Sequence, residues 1–300
     1  MIEEFKTFIA VVEYKNFTKA GEIINLSQPT VSTHIKNLEN YFNTTLINRS
    51  IKQKNMSITN NGYLLYKRAR EIISSINSLK DELSSENNSI KGHIKIGASL
   101  TIAEYFLPNF LAIFSKKYPD IEIEMIVENT HKICEKVKSS NLDIGLVEGS
   151  LTSFDFTQSF FFKDSMVLAF SPKCNINSSN FNIESIKDKK WIVREDGSGT
   201  REYLNIFLSN NKITPRQIMV LGSNQSVKEA VKNNLGISII SKLITDSEKD
   251  KINTINLNET YNRFFSFITP KDINPSNITT LFVNELNKFS NFNNDKEGNE

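Results

Sequence analysis

Two turns place small hydroxyl residues beside apparent helix starts: Ser99-Leu100-Thr101 and Gly197-Ser198-Gly199-Thr200. Such a turn offers backbone N–H groups, side-chain hydroxyls and the positive end of a helix, which suits a small carboxylate or another oxyanion. Either turn alone reads equally well as an N-cap with glycines that let the chain bend. Together, on two lobes, they read as facing walls of a binding cleft. A second set of polar groups lies nearer the N-terminus. From Ser27 onward, Val31, Ile35 and Leu38 recur at i, i+4 and i+7, leaving Gln28, Thr30, Ser32, Thr33, Lys36 and Asn37 on the opposite helical face. A surface helix that needs only solubility more often carries Glu and Lys. Gln, Ser and Thr can exchange hydrogen bonds with base edges in a major groove. A solvated helix of a small helical domain is the alternative.

Catalytic patterns are missing. His34 sits on that polar helix, His93 opens a strand and His131 follows the Asn129-Thr130 turn, with no Ser-His-Asp or His-x-x-x-His arrangement among them. The Gly-Ser-Gly-Thr turn has neither the spacing nor the Lys of a P-loop, and it is not a nucleophile elbow. Cys134 and Cys174 are far apart and lack His or Cys neighbours at ligand spacing, so they read as packing residues, with no metal or cofactor expected. An apolar content of 39% in 300 residues is enough for two or three packed units. No apolar run approaches the roughly 20 residues that span a bilayer. Met1-Ile-Glu-Glu-Phe5 lacks the features of a signal peptide, so no membrane and a cytoplasmic location are expected. The net charge of +2 is uninformative, but its distribution is not. Lys36, Arg49, Lys52, Lys54, Lys67, Arg68 and Arg70 face only one acid, Glu39, across that stretch.

The elements that position these groups follow in order. Phe5, Phe8, Ile9 and Val12 form one face of an opening helix; Thr18 reads as the N-cap of a short second helix, and Ser27 caps the third with Pro29 in its first turn. Leu46–Ser50 and Met56–Ile58 flank a polar turn as the strands of a wing, from which Arg49, Lys52 and Lys54 would meet phosphates. A solvated charged turn is the alternative there. Thr59 then caps a long helix in which Leu65, Ala69, Ile72, Ile76, Leu79 and Leu83 make a heptad seam, expected to dimerise because the following Ser/Asn-rich stretch leaves nothing to pack on.

From His93 the chain alternates strand, helix, strand, helix, strand, and a second unit repeats that grammar from about Ser165, which implies parallel sheets in two α/β lobes. Arg194 and Arg201 either add charge to the cleft or pair with Glu195 and Glu202. Asn224–Ser226 reads as ordinary capping.

The stretch Ala20–Glu39, AGEIINLSQPTVSTHIKNLE, closely resembles the DNA-binding signature of the LysR-type transcriptional regulators, and the resemblance continues through Asn48-Arg49 and Ile58–Gly62 over nearly the whole chain. Gly97–Pro108 and Arg194–Glu202 are similar to motifs of the branch that activates sulfite-reductase and Calvin-cycle genes. One departure is Ile47, where the family usually has Phe.

The resemblance implies a winged helix-turn-helix at 1–60, a linker helix and hinge at 61–90, and an effector domain at 91–292 of periplasmic-binding-protein-like type. Lobe I would comprise about 91–162 and 267–292, lobe II about 163–266, and 293–300 would be a disordered tail. Thr18, Gln28, Pro29, Thr30, Ser32, Thr33, Lys36, Arg49, Lys52 and Lys54 would meet double-stranded DNA at an interrupted palindrome. Ser99, Leu100, Thr101, Ser198, Gly199 and Thr200 would line the effector site, with Asn129, Thr130 and Glu148 at its rim. The expected protein is a homodimeric or homotetrameric regulator controlled by a small effector. An oxyanion-binding module without DNA output is the alternative.

Overall fold

Helical repeats of apolar residues dominate the first ninety positions, and the computed structural model packs them on one another. It describes residues 1–49, 56–83, 90–138, 142–149, 151, 156–178, 180–248, 250–271 and 274–297. The chain divides into two units, Met1–Ser89 and Ile90–Glu300. Lys52, Lys54 and the side chains of Arg49 and Leu83 lie outside the described residues.

The first unit contains α1 (Ile2–Tyr14), α2 (Phe17–Ile23), α3 (Gln28–Tyr41), β1 (Ile47–Arg49), β2 (Met56–Ile58) and α4 (Asn60–Leu83). Phe5, Phe8, Val11, Ala20, Val31, Ile35 and Leu38 form its core. The cap of α2 is Asn16, not Thr18: Lys15 turns left-handed, Asn16 is extended, and its side chain accepts from the N–H groups of Thr18 and Lys19 at 2.9 and 3.0 Å. Its carboxamide therefore reaches both free amides before Thr18 can act. Between α2 and α3 the chain turns so tightly that a Cβ on Gly21 would lie 2.5 Å from the Leu26 carbonyl oxygen, so glycine is required. Ser27 caps α3 as expected, accepting from Thr30 N–H at 3.3 Å. Antiparallel pairing sets Ile47 opposite Ile58 in the wing. Thr59 accepts from Gly62 N–H at 2.9 Å at the start of α4.

The heptad seam divides. Ala69 is fully buried in the head and Leu65 packs against the same cluster, whereas Ile72 and Leu79 are exposed. The spacing of four and three repeats along α4, but its first turns are already used inside the subunit.

Beside that contact, Tyr66 OH donates to Glu13 Oε1 at 3.1 Å and accepts from Arg70 at 3.3 Å. Burial raises the Glu13 carboxyl above its ordinary range, against the opposing pull of Arg70 and Tyr66, and pushes Tyr66 up to about 12. A raised carboxyl means that the folded state binds this proton more tightly than the unfolded chain does. The cost of ionised Glu13 is thus absent below the ordinary carboxyl pKa of about 4 and grows as pH rises above it. Glu13→Gln, which keeps an acceptor, is expected to raise the thermal midpoint at pH 7, with the gain vanishing near pH 4. A loss of stability at pH 7 would show that the charge of Glu13 is needed.

The second unit begins with β3 (Gly92–Ser99), a π-helical turn (Ile102–Phe106), α5 (Leu107–Lys117), β4 (Ile121–Glu128), α6 (Thr130–Lys138), β5 (Ile144–Glu148) and β6 (Phe156–Asp164). It continues through β7 (Met166–Phe170), β8 (Trp191–Arg194), α7 (Gly199–Asn210), β9 (Ile218–Leu221), α8 (Asn224–Lys232), β10 (Ser238–Ser241) and α9 (Lys242–Thr245). The last elements are β11 (Asn253–Asn256), β12 (Arg263–Pro270) and α10 (Asn277–Glu297). The π turn has a local cause: Pro108 has no N–H to offer the Glu104 carbonyl, so the regular ladder is interrupted there.

Lobe I is a five-stranded sheet in the order β4-β3-β5-β12-β6, with β3 parallel to β4 and β5, and β12 antiparallel to β5 and β6. Ile94, Ile96, Phe106, Phe110, Phe265 and Phe282 fill one side of it. Lobe II is less parallel than its sequence implies. The pair β8-β9 is parallel, but β10-β7-β11 is antiparallel throughout. The alternation of strands and helices missed β6, whose Phe160-Phe161-Phe162 run hides the period of two, and β11, three of whose four residues are polar. The crossings between lobes fall at Ser165 and Asn262, so Arg263–Ser266, expected in lobe II, belong to the lobe I sheet. The final helix runs to Glu297, past the boundary expected at 292. No Gly or Pro interrupts that polar stretch before Gly298.

Candidate functional sites

On the first unit, Gln28, Pro29, Thr33, Lys36 and Asn37 are exposed along α3, Thr30 and Ser32 are half-buried, and Thr18 is exposed on α2. Thr33 donates its hydroxyl proton to Pro29 O at 3.0 Å, which leaves it an acceptor. A groove of about 590 Å³ runs between α3 and the first wing strand, lined by Ser32, Thr33, Lys36, Thr45 and Asn48 among others. Glu39, the one acid of this region, is spent internally: its Oε1 accepts from the N–H groups of Leu46 and Ile47 at 2.9 and 3.2 Å. Lys36 therefore stands near a carboxylate whose charge is already engaged with backbone N–H groups. Thr7, fully buried in α1, donates to Glu3 O at 2.8 Å, so its oxygen must accept from Nδ1 of His34, also at 2.8 Å. His34 thereby docks α3 on α1.

On the second unit, the residues expected to line the effector site are brought together. Ser99, Thr101, Asn129, Thr130, Glu148, Ser198, Gly199 and Thr200 are all buried, and Leu100 is half-buried. What joins them is Arg263, which the sequence reading did not single out. Its side chain is 0% exposed. Nε donates to Asp164 at 2.7 Å, Nη1 to Thr200 Oγ1 at 3.0 Å and Nη2 to Thr101 Oγ1 at 3.3 Å, while Nη1 lies 3.4 Å from Glu148 Oε2. Burial works against its charge. Glu148 and Asp164 outweigh that penalty and raise its pKa, so the guanidinium stays protonated.

A second buried guanidinium extends the network. Arg194 grips Glu195 with two hydrogen bonds of 2.8 Å and donates to Asn224, whose Nδ2 donates to Thr101 Oγ1 at 3.3 Å. Burial would raise the Glu195 carboxyl, but Arg194 prevails and holds it below its ordinary range. Arg194 is thus paired with Glu195. Asn224 is no cap: Ser223 caps α8, and Asn224 is buried in the cleft. Arg201 donates to Arg194 O at 2.9 Å. The lobes are also tied by Asn129 Nδ2 to Glu195 at 3.3 Å and by His131 N–H to Gly197 O at 3.0 Å, where Gly197 has a φ of +85° that favours glycine.

The consequence for the threonines is chemical. Each already accepts from Arg263, so each hydroxyl proton is left to donate, with no acceptor among the described residues. Ser99 Oγ and Thr130 Oγ1 are likewise buried without partners there. A pocket of about 790 Å³ adjoins the cleft, lined by Thr130, His131, Cys134, Ser198, Gly199 and Arg201 among others. Burial pushes the Cys134 thiol up to about 11, so it is a poor nucleophile at neutral pH.

A signal for Arg263 exists in retrospect. It shares strand parity with buried Phe265, a position where a charged side chain must find partners.

Comparison with known proteins bears on each unit as a whole. Residues 2–63 match the model for "Bacterial regulatory helix-turn-helix protein, lysR family", and residues 87–290 match that for "LysR substrate binding domain". The chain is 42% identical over 240 residues to the transcriptional regulator CysL of Bacillus subtilis, covering 80% of each. The regulatory domain of Synechocystis CcmR, solved with 2-PG, superposes with a TM-score of 0.62 at 25% identity, covering 67% of this chain and 98% of that one. A full-length OxyR variant of Pseudomonas aeruginosa shares the fold, with a TM-score of 0.71 at 17% identity, covering 95% of this chain and 94% of that one. With a helix-turn-helix head and a two-lobed effector domain, the chain belongs to the LysR family: it is a DNA-binding transcriptional regulator and not an enzyme.

Proposed function

We propose that the effector is a small oxyanion or carboxylate held between the lobes of the second unit, and that the regulator acts in the cytoplasm as a dimer or a dimer of dimers on an interrupted palindrome. The observation that carries the effector reading is the use of Arg263. By donating to Thr101 and Thr200 it turns both hydroxyls into donors, and Ser99 and Thr130 add two buried hydroxyls without a partner among the described residues. The resemblance of Gly97–Pro108 and Arg194–Glu202 to motifs of the branch that includes sulfite-reductase-gene activators favours an effector from sulfur metabolism. Binding would change the relative population of lobe arrangements, and so the spacing of paired heads on DNA.

The test is a thermal-shift series with sulfite, sulfate, phosphate and small carboxylates on the full-length protein. A ligand at 100 times its Kd should add about 2.7 kcal/mol of stability. Thr101→Ala and Thr200→Ala should each remove the shift, and no shift with any of these anions would sink the reading. On the DNA side, Gln28→Ala should relax operator preference by roughly 1–3 kcal/mol in a competition assay, whereas Lys36→Ala should weaken all sequences alike and flatten the salt dependence. Retained preference in Gln28→Ala would refute this orientation of α3.

A further inference from the structure

Glu148 ends β5 and is 3% exposed. Its Oε2 lies 3.4 Å from Arg263, and it packs so closely on Gly199 that a Cβ there would fall 2.6 Å from the same oxygen. Gly199 opens the twelve-residue α7, and Ser198, at its N-cap, makes no side-chain cap bond. A buried carboxylate thus occupies ground that the helix end and Arg263 would otherwise offer to an anion. Arg263 already donates to Asp164 at 2.7 Å, so Glu148 is the second carboxylate set against one guanidinium.

An anion entering this cleft meets two kinds of group. The hydroxyls of Ser99, at the end of β3, and Thr130, at the start of α6, have no partner among the described residues and can donate to it, as can Thr101 and Thr200. Glu148 can only accept. A fully deprotonated oxyanion would set an oxygen against that carboxylate with no proton between them, which is repulsive in a buried site. An oxyanion that keeps one proton would donate it to Glu148 and take the hydroxyl protons with its remaining oxygens.

We propose that Glu148 is a specificity-determining residue, which selects oxyanions that retain an O–H, such as hydrogenphosphate, phosphate monoesters or hydrogensulfite, over bare oxyanions such as sulfate. This rests on the anion reading of the cleft. The pairing is between an ionised acceptor and a donor the ligand supplies, so the discrimination should be about tenfold or more.

The experiment is titration calorimetry of the full-length protein near neutral pH with inorganic phosphate, sulfite and sulfate. Wild type should bind phosphate or sulfite at least about tenfold more tightly than sulfate. Glu148→Gln, whose amide can itself donate, should lose that preference and gain in sulfate affinity, with its cooperative unfolding checked separately. Wild type binding sulfate as tightly as the other two overturns the inference without recourse to a variant. So does an unchanged preference in Glu148→Gln. In either case the reading of the cleft still stands if Thr200→Ala abolishes binding. Absence of binding by all three probes overturns both.

Discussion

Replacing Arg263 by Met should destabilise the effector domain by about 3–5 kcal/mol, because it leaves Asp164 and Glu148 buried without their cation. Both carboxylates are almost fully enclosed, so water cannot take the place of the guanidinium. Met keeps much of the side-chain volume, which separates loss of charge from loss of packing. Arg263→Met combined with Asp164→Leu should recover part of that cost, since an apolar pair of similar volume is often as stable as a buried ion pair. Arg263→Lys should not restore the site. One ammonium cannot reach Asp164, Thr101 and Thr200 in a plane as the guanidinium does. Urea unfolding of the four proteins measures these differences. A cost near zero for Arg263→Met would mean that Asp164 and Glu148 carry protons in the folded state, and the ion-pair account would fail.

The second large effect is on DNA binding and is read at a distance from the DNA. Ile72 and Leu79 are 42% and 53% exposed on α4, while Ala69 on the same helix is 0% exposed. If the outer residues are the dimer seam, Ile72→Asp with Leu79→Asp should give monomers in sedimentation and weaken a two-site operator by about 10²–10⁴-fold, the advantage lost when two heads no longer bind together. The fold of the head should survive, because neither residue belongs to its core. Ala69→Asp provides the contrast. It puts a charge into that core, and should unfold the head whatever the oligomeric state. A dimer that persisted in the double variant would move the interface elsewhere.

Much of the fold could be read from local patterns because local forces decide it. The helices of the head declare themselves through the spacing of Phe5, Phe8, Val31, Ile35 and Leu38, and Ser27 and Thr59 cap where their sequence context places them. Where two candidates compete, the local pattern is not enough. Asn16 displaced Thr18 as a cap because of the backbone conformation at Lys15, which depends on how α1 ends. The heptad seam illustrates the same limit. Spacing specifies a face of α4 but not its partner, and the structure gives Leu65 and Ala69 to the head while leaving Ile72 and Leu79 outside.

The amino-acid sequence by itself determined the class of protein, helix α3 with its polar face, and the two hydroxyl-bearing turns. Each of these is written in residues within a few positions of one another, through capping, glycine turns and helical or strand period. Tertiary structure alone decided the centre of the cleft. Asp164 and Arg263 are 99 residues apart, and Arg263 and Thr101 are 162 apart. Whether a charged side chain is buried depends on the partner that awaits it, and that partner is delivered by the pairing of β12 with β5 and β6. No local period encodes such a meeting, because the free energy of burying Arg263 is settled only when the distant carboxylates and hydroxyls are in place around it.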